Sequence, residues 1–407
     1  MKFSERHQKS RQPKAQKIAK QGTRIKLFAF LFCVSAALLL VTFAGRADQP
    51  GLVKFLENIL VPDFMVVGPP AHAASFDISW VDNGTYYFAD RGPTAAVGGH
   101  VDVFDAKDDT FLFKIGGFVG NRGTDISGPN GILVVHKAKE LWAGDGDSTV
   151  KVVDLDAQAI VDSIPTGGKM RADELAYDPI HDIILIANDA DSPPFLTFID
   201  RRTHDVLGHI KYDGSDSNHP LATDGLEQPV FDNSTQLFYQ AVPATTDNIG
   251  GEIDAIDPTA MTIVHRFAVE DCIPHGLTLT HNHQLLLGCS DLAGVNTGNP
   301  GSLIMDDRDG KILAKITEVT GSDEVWFNPG DNRYYLAASN CGALCGGPVL
   351  GVIDALSKKW LQNVPTGTGA HSVAANQENN HVFVPISAVG GVSVFSHEEG
   401  QSKVTRR

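Results

Sequence analysis

The chain lacks the short signatures of several enzyme classes. Its 407 residues hold no Ser-His-Asp elbow, no phosphate-cradling glycine loop and no haem-type CxxCH. Basic residues are scarce over most of the length. The whole chain has 33 Lys and Arg against 49 Asp and Glu, and residues 1–46 take ten of the bases and one acid. The remainder carries 23 bases against 48 acids, a net −25. Such a surface gives no general footprint for nucleic acid or an anionic membrane. It suits solubility, or a ligand that is neutral or cationic. Cysteine is also rare, with five residues.

Only one long apolar run exists, residues 27–45 (LFAFLFCVSAALLLVTFAG), and it contains Cys33. Nine Lys or Arg and the single acid Glu5 precede it in residues 1–26. A basic segment before an apolar one reads as an export signal, with small residues Ala44, Gly45 and Ala47 as cleavage points. Nineteen residues are also enough to span a bilayer, the basic flank staying in the cytoplasm. Both alternatives export the rest, to the periplasm or medium, or anchored in the inner membrane by residues 27–45. Membrane contact is expected through this segment alone. The four other cysteines form an even set in an oxidising compartment. Cys272 and Cys289 flank a hairpin, and Cys341 and Cys345 share one glycine-rich loop, so those two pairings are expected. Ligation of a soft metal by the thiolates is the alternative.

Past residue 72 the chain repeats. Phe76-Asp77-Ile78-Ser79-Trp80, Pro129-Asn130-Gly131-Ile132-Leu133 and Asp173-Glu174-Leu175-Ala176-Tyr177 share one pattern. Glu227-Gln228-Pro229-Val230-Phe231, Pro274-His275-Gly276-Leu277, Asp323-Glu324-Val325-Trp326-Phe327 and Ala370-His371-Ser372-Val373 continue it. The polar positions fall 53, 44, 54, 47, 49 and 47 residues apart. A period near 40–50 residues with four short strands per unit marks a β-propeller blade. The expected fold is all-β: a seven-bladed propeller of four-stranded blades over residues 73–398, after the signal or anchor in 1–46. Residues 47–72 form a lead-in and 399–407 a tail. The last repeat shows only three obvious strands, so residues 64–67 are expected to close the ring and remove the edge. Third strands such as 100–105, 149–154, 252–257 and 352–354 end in Asp, which fits an Asx-type turn.

The units resemble YVTN-type repeats. Ile164-Pro165-Thr166-Gly167-Gly168 and Val364-Pro365-Thr366-Gly367-Thr368-Gly369 match that family's blade endings. The resemblance covers most of the chain past the apolar run and includes YncE-like exported proteins, virginiamycin B lyase and, more distantly, gluconolactonase-like propellers. It implies a fold; activities across these groups differ widely.

First strands line the channel, so Asp77, Asn130, Glu174, Gln228, His275, Glu324 and His371 are expected to converge at its mouth. Blades 5, 6, 7 and 1 are neighbours on a closed ring and supply His275, Glu324, His371 and Asp77. Two imidazoles and two carboxylates suit a divalent metal such as Zn²⁺, Mn²⁺ or Fe²⁺, with Mg²⁺ or Ca²⁺ also open; Glu174 is a further ligand. Asn130 and Gln228 are expected to hold a bound small molecule. A hydrated polar channel without metal is the alternative. In gluconolactonase-like propellers the resemblance implies a metal held by Glu, Asn and Asp, and Glu174, Asn130 and Asp77 are the matching types. Seven blades and two added histidines depart from that pattern. Similarity to virginiamycin B lyase implies a base role for His275 or His371, and Glu174 is a third catalytic candidate. The expected function is a metal-dependent hydrolase or lyase acting on a small ester, lactone or similar molecule at the mouth. The alternative is a non-catalytic exported protein that binds a ligand or partner there. Asp145, Asp147, Asn188, Asp189 and Asp191 read first as turns and second as Ca²⁺ ligands. Loops 242–251 and 291–301 are candidate pocket walls.

Overall fold

A computed structural model describes residues 51–62, 75–93, 96–280, 282–290 and 301–397. The basic segment, the apolar run, residues 64–67, most of loop 291–301 and the tail lie outside the described residues. Among those described, no helix is long and apolar enough to cross a membrane.

Seven four-stranded antiparallel sheets follow one another. Blade 1 is Ser75–Asp82, Thr85–Gly92, Gly99–Asp105 and Thr110–Phe118. Blade 2 is Ile132–Val135, Glu140–Asp145, Thr149–Asp154 and Ala159–Pro165. Blade 3 is Leu175–Asp178, Ile183–Asn188, Phe195–Asp200 and Val206–Lys211. A small hairpin, Asp213–Asp216 with His219–Leu221, precedes blade 4. Blade 4 is Pro229–Asp232, Leu237–Val242, Glu252–Asp257 and Thr262–Ala268. Blade 5 is Pro274–Thr280, Gln284–Cys289, Ser302–Asp306 and Ile312–Ile316. Blade 6 is Glu324–Asn328, Arg333–Ala338, Val349–Asp354 and Lys359–Pro365.

Blade 7 takes Ala374–Asn376, His381–Ile386 and Gly391–His397 from the C-terminal repeat and its fourth strand, Val53–Leu60, from the lead-in. That strand pairs antiparallel with Gly391–His397, from Val53 opposite His397 to Leu60 opposite Gly391. Ring closure therefore uses a segment upstream of residues 64–67.

Middle strands of each blade are buried on both faces. Ile183–Asn188 and Arg333–Ala338 are buried at every position. Outer strands such as Val206–Lys211 are largely exposed. The core is thus a set of separate layers between blades rather than one centre. The Asp closing the third strand in blades 1 to 6 accepts backbone N–H groups of the next turn. Asp154 bonds Ala157 at 2.8 Å, Asp257 bonds Thr259 at 2.8 Å, and Asp354 bonds Ser357 at 2.7 Å. Cys272–Cys289 and Cys341–Cys345 are both disulfide-bonded. The first ties the strand start at Pro274 to the end of its partner strand, since Pro274 pairs with Cys289.

Candidate functional site at the channel mouth

All seven repeated polar residues sit at or just before a first strand. At two of them the strand register breaks. The pairing of blade 1 shifts between Phe76 and Ser79, and that of blade 5 between Pro274 and Leu277. Bulges re-aim the side chains they contain, here Asp77 and His275. Ile273, just before the second bulge, holds φ +52°, an unusual value for a β-branched residue. Its N–H bonds Gly250 O at 2.8 Å and its carbonyl accepts Ser290 N–H at 3.1 Å, so the surroundings fix this strained entrance to the strand. Gly276 is needed beside it, because a Cβ there would meet the Asp323 carbonyl of the next blade.

His275 stands between two carboxylates of neighbouring blades. Its Nδ1 lies 3.3 Å from Glu227 Oε1 and 3.3 Å from Asp323 Oδ1. Burial pulls the imidazole down, but Glu227 and Asp323 outweigh it and push it up to about 9. Burial raises Glu227 to about 7, with His275 pulling the other way. Burial would raise Asp323 also, yet its hydrogen bond and charge contact with His275 hold it below the ordinary value. Donor atoms of Glu227, His275 and Asp323 lie within 4.8 Å of one another, close enough to hold a metal ion. Among the described residues two further groups meet the same criterion, Asp90–His100–Asp102 in blade 1 and Asp232–His283–Asp307 between blades 4 and 5.

His371 donates from Nδ1 to Gly369 O at 2.9 Å, which leaves Nε2 facing Asp77 Oδ1 at 3.7 Å. Its ring stacks on Phe76 at 4.4 Å, nearly parallel. Burial lowers this imidazole, while Asp77 and Asp323 raise it further, and the net shift is upward. Asp77 also accepts Arg91. Despite burial, Arg91 and His371 hold it down at about 2. Arg91 donates to Asn130 Oδ1 from Nε at 2.9 Å and Nη2 at 2.7 Å, and Asn130 Nδ2 donates to Ala172 O at 2.9 Å. Arg171 binds Asp173 at 2.7 Å and Asp189 at 2.6 Å. Together Asp77, Arg91, Arg171, Asp323 and His371 line a basin of about 370 Å³.

Glu174 and Glu324 come from opposite sides of the ring and hydrogen-bond to each other. Burial first, then neighbouring carboxylates, pushes both well above the ordinary range. Gln228 accepts the Leu277 N–H at 2.6 Å.

The repeat residues therefore meet in a different grouping from the one the blade order suggests. Asp77 meets His371, Glu174 meets Glu324, and His275 meets Glu227 and Asp323. Glu324 meets blade 7 through its backbone, its N–H donating to His371 O at 3.0 Å. Asn130 and Gln228 bond within the protein. Of the turn residues, Asp145 accepts Val119 and Gly146 N–H at 3.1 and 2.9 Å, and Asp191 accepts Lys169 N–H at 3.0 Å. Asn188 donates to Thr166 at 2.8 Å. Loop 242–251 lines its own crevice with Glu270, away from the basin. Sequence reasoning missed Glu227, Asp323 and Asp173, although each immediately precedes a repeat residue as an acidic neighbour. It also missed Arg91 and Arg171, which belong to no repeat position.

No family model matches the chain, and no curated protein does. Solved structures match its fold. A chain of the mitotic checkpoint complex is 11% identical with a TM-score of 0.59, over 92% of this chain and 99% of that one. The Pan2 WD40 domain of Neurospora crassa is 13% identical with a TM-score of 0.60, over 86% and 97%. Hydrazine synthase of Kuenenia stuttgartiensis is 13% identical with a TM-score of 0.60, over 78% and 94%. These likenesses show the seven-bladed propeller fold and nothing finer.

Proposed function

We propose that the channel mouth is a cation-dependent catalytic site, and that the protein is an exported hydrolase or lyase acting on a small molecule there. The carrying observation is the Glu227–His275–Asp323 cluster, whose ligand atoms converge within 4.8 Å while Asp323 also walls the basin. One imidazole and two carboxylates from three blades suit a divalent ion such as Zn²⁺ or Mn²⁺. A bound cation would polarise a carbonyl or lower the pKa of its water. The protein's own groups would do the rest. Arg91 and Arg171 face the basin and would orient substrate oxygens. His371, held in one orientation by Gly369 and Phe76, would move a proton at Nε2. Glu174, whose carboxyl is held above the ordinary range by burial and neighbouring carboxylates, would act as an acid. The YVTN-type resemblance and the export reading of residues 27–45 support this placement outside the cytoplasm. The enzyme reading is tested by metal analysis of protein purified without chelators. Near-stoichiometric metal is expected, and its loss in His275→Ala/Asp323→Asn. Metal-free wild-type protein that takes up neither Zn²⁺ nor Mn²⁺ would sink it.

The second reading is non-catalytic binding of a ligand or partner at the same face. It is favoured by the pairing of Arg91 with Asp77 and Arg171 with Asp173 and Asp189, which engages the groups a reaction would use.

A further inference from the structure

Below the mouth the channel changes character. Trp80, Leu133, Leu175, Val230, Leu277 and Trp326 are among the residues that wall a cavity of about 360 Å³ along the first strands of blades 1 to 6. Trp80 and Trp326 meet edge to face at 5.3 Å. No Asp, Glu, Lys, Arg or His is among the lining residues. The volume falls within the range of small-molecule sites, and apolar walls hold water poorly.

The side-chain oxygens on this wall are already engaged. Gln228 Oε1 accepts the Leu277 N–H at 2.6 Å, and Thr278 Oγ1 accepts the Phe327 N–H at 3.2 Å. The Tyr177 hydroxyl donates to Asp182 at 2.7 Å. Because an N–H group takes the oxygen of Gln228, the orientation of its amide is fixed, and Nε2 is the free end. That NH₂ group meets no acceptor among the described residues. Gln228 lines this cavity and not the basin at the mouth. The lining itself therefore supplies a spare donor, and an apolar guest that brings one acceptor can use it.

We propose that the lower channel is a second binding compartment, which takes a small aromatic molecule bearing one carbonyl oxygen, an aryl ketone in the simplest case, with Gln228 Nε2 donating to that oxygen. The two indoles and the aliphatic residues select an apolar body, and a lining without charged side chains disfavours an ion. The compartment is independent of any cation at the mouth.

The test titrates the full chain calorimetrically with acetophenone and with α-methylstyrene, which has the same outline and a methylene in place of the oxygen. Expected is binding of one acetophenone, with α-methylstyrene weaker by roughly three- to tenfold, the range of one net hydrogen bond. Gln228→Met keeps the length of the side chain and removes the donor. It should erase the preference, while α-methylstyrene still binds and so reports an intact cavity. Val230→Trp and Leu279→Trp each fill the cavity from a half-buried position. Both should abolish binding of the two guests and leave the circular dichroism unchanged. No saturable acetophenone binding, or binding that survives both tryptophan variants, overturns the compartment. Equal affinity for the two guests, or a preference retained in Gln228→Met, overturns the role of the amide. Failure here leaves metal loading at the mouth untouched, so the two readings fail separately.

Discussion

At the scale of residues, the mouth is a set of charges that offset one another in pairs. Arg91 is the clearest case, because it serves Asp77 and Asn130 together. Arg91→Met should leave the Asn130 amide oxygen without its donor and the buried Asp77 carboxylate with His371 alone. A loss of about 1–3 kcal/mol in denaturant unfolding is expected, with Asp77 released from its depressed pKa. An unchanged midpoint would show that the pair is solvent-compensated. The repeat pattern exposes half of this arrangement. Seven polar residues at matched offsets mark the mouth, but the acids before them at Asp173, Glu227 and Asp323 read as strand-flanking polarity. Which of two adjacent acids faces the channel depends on bulges and on blade-to-blade approach, and neither has a sequence signature. Arg91 ends a second strand without a counterpart in other blades, so only the fold places it beside Asp77.

At the scale of elements, two ties hold the site. The Cys272–Cys289 bridge closes a loop with a sequence separation of 17 beside the strained Ile273. Loop-closure entropy assigns such a bridge about 3 kcal/mol. Reduction, or Cys272→Ala/Cys289→Ala, should therefore lower the unfolding midpoint and weaken whatever His275 binds. A midpoint unaffected by reductant would show the bridge to be dispensable. The other tie is Val53–Leu60. Its removal should leave Gly391–His397 as an open edge, giving a lower melting temperature and association between copies; a monomer of unchanged stability would contradict this. The need for a closing strand is legible, since the last repeat holds three strands. Its position is not, because an outermost strand packs on one side only. Val53–Leu60 buries just its first and seventh residues, too weak an alternation to stand out beside the apolar run at 64–67.

At the scale of the whole molecule, the period of the repeats fixes blade number and strand order, and the structure agrees with both. The chemistry is less legible, because a propeller brings together residues about 50, 150 or 300 positions apart without a fixed spacing rule. The summed titration of the mouth is a property of the assembled ring. Glu174, Glu324, Glu227 and His275 all have raised values when folded. A group raised on folding favours the folded state below its ordinary value and loses that advantage as pH climbs to the folded one. Stability should therefore fall from about pH 4.5 upward, with the His275 share lost between 6.5 and about 9. His275→Gln should flatten the upper part of this decline in thermal melts from pH 6 to 9. On the acid side, the depressed Asp77 loses its share as pH drops from 3.8 to about 2.

The most direct test of a cation site at the mouth is calorimetric titration with Zn²⁺ at pH 7 in two buffers of different ionisation heat. His275 is protonated at that pH when no cation is bound, so ligation must expel its proton. The account predicts one site, release of between one and two protons per ion, from His275 and from the partly protonated Glu227, and affinity that rises as pH climbs toward 9. In His275→Gln both the binding and the proton should disappear. Absence of saturable Zn²⁺ binding, or binding that survives in His275→Gln with no proton released, would contradict it.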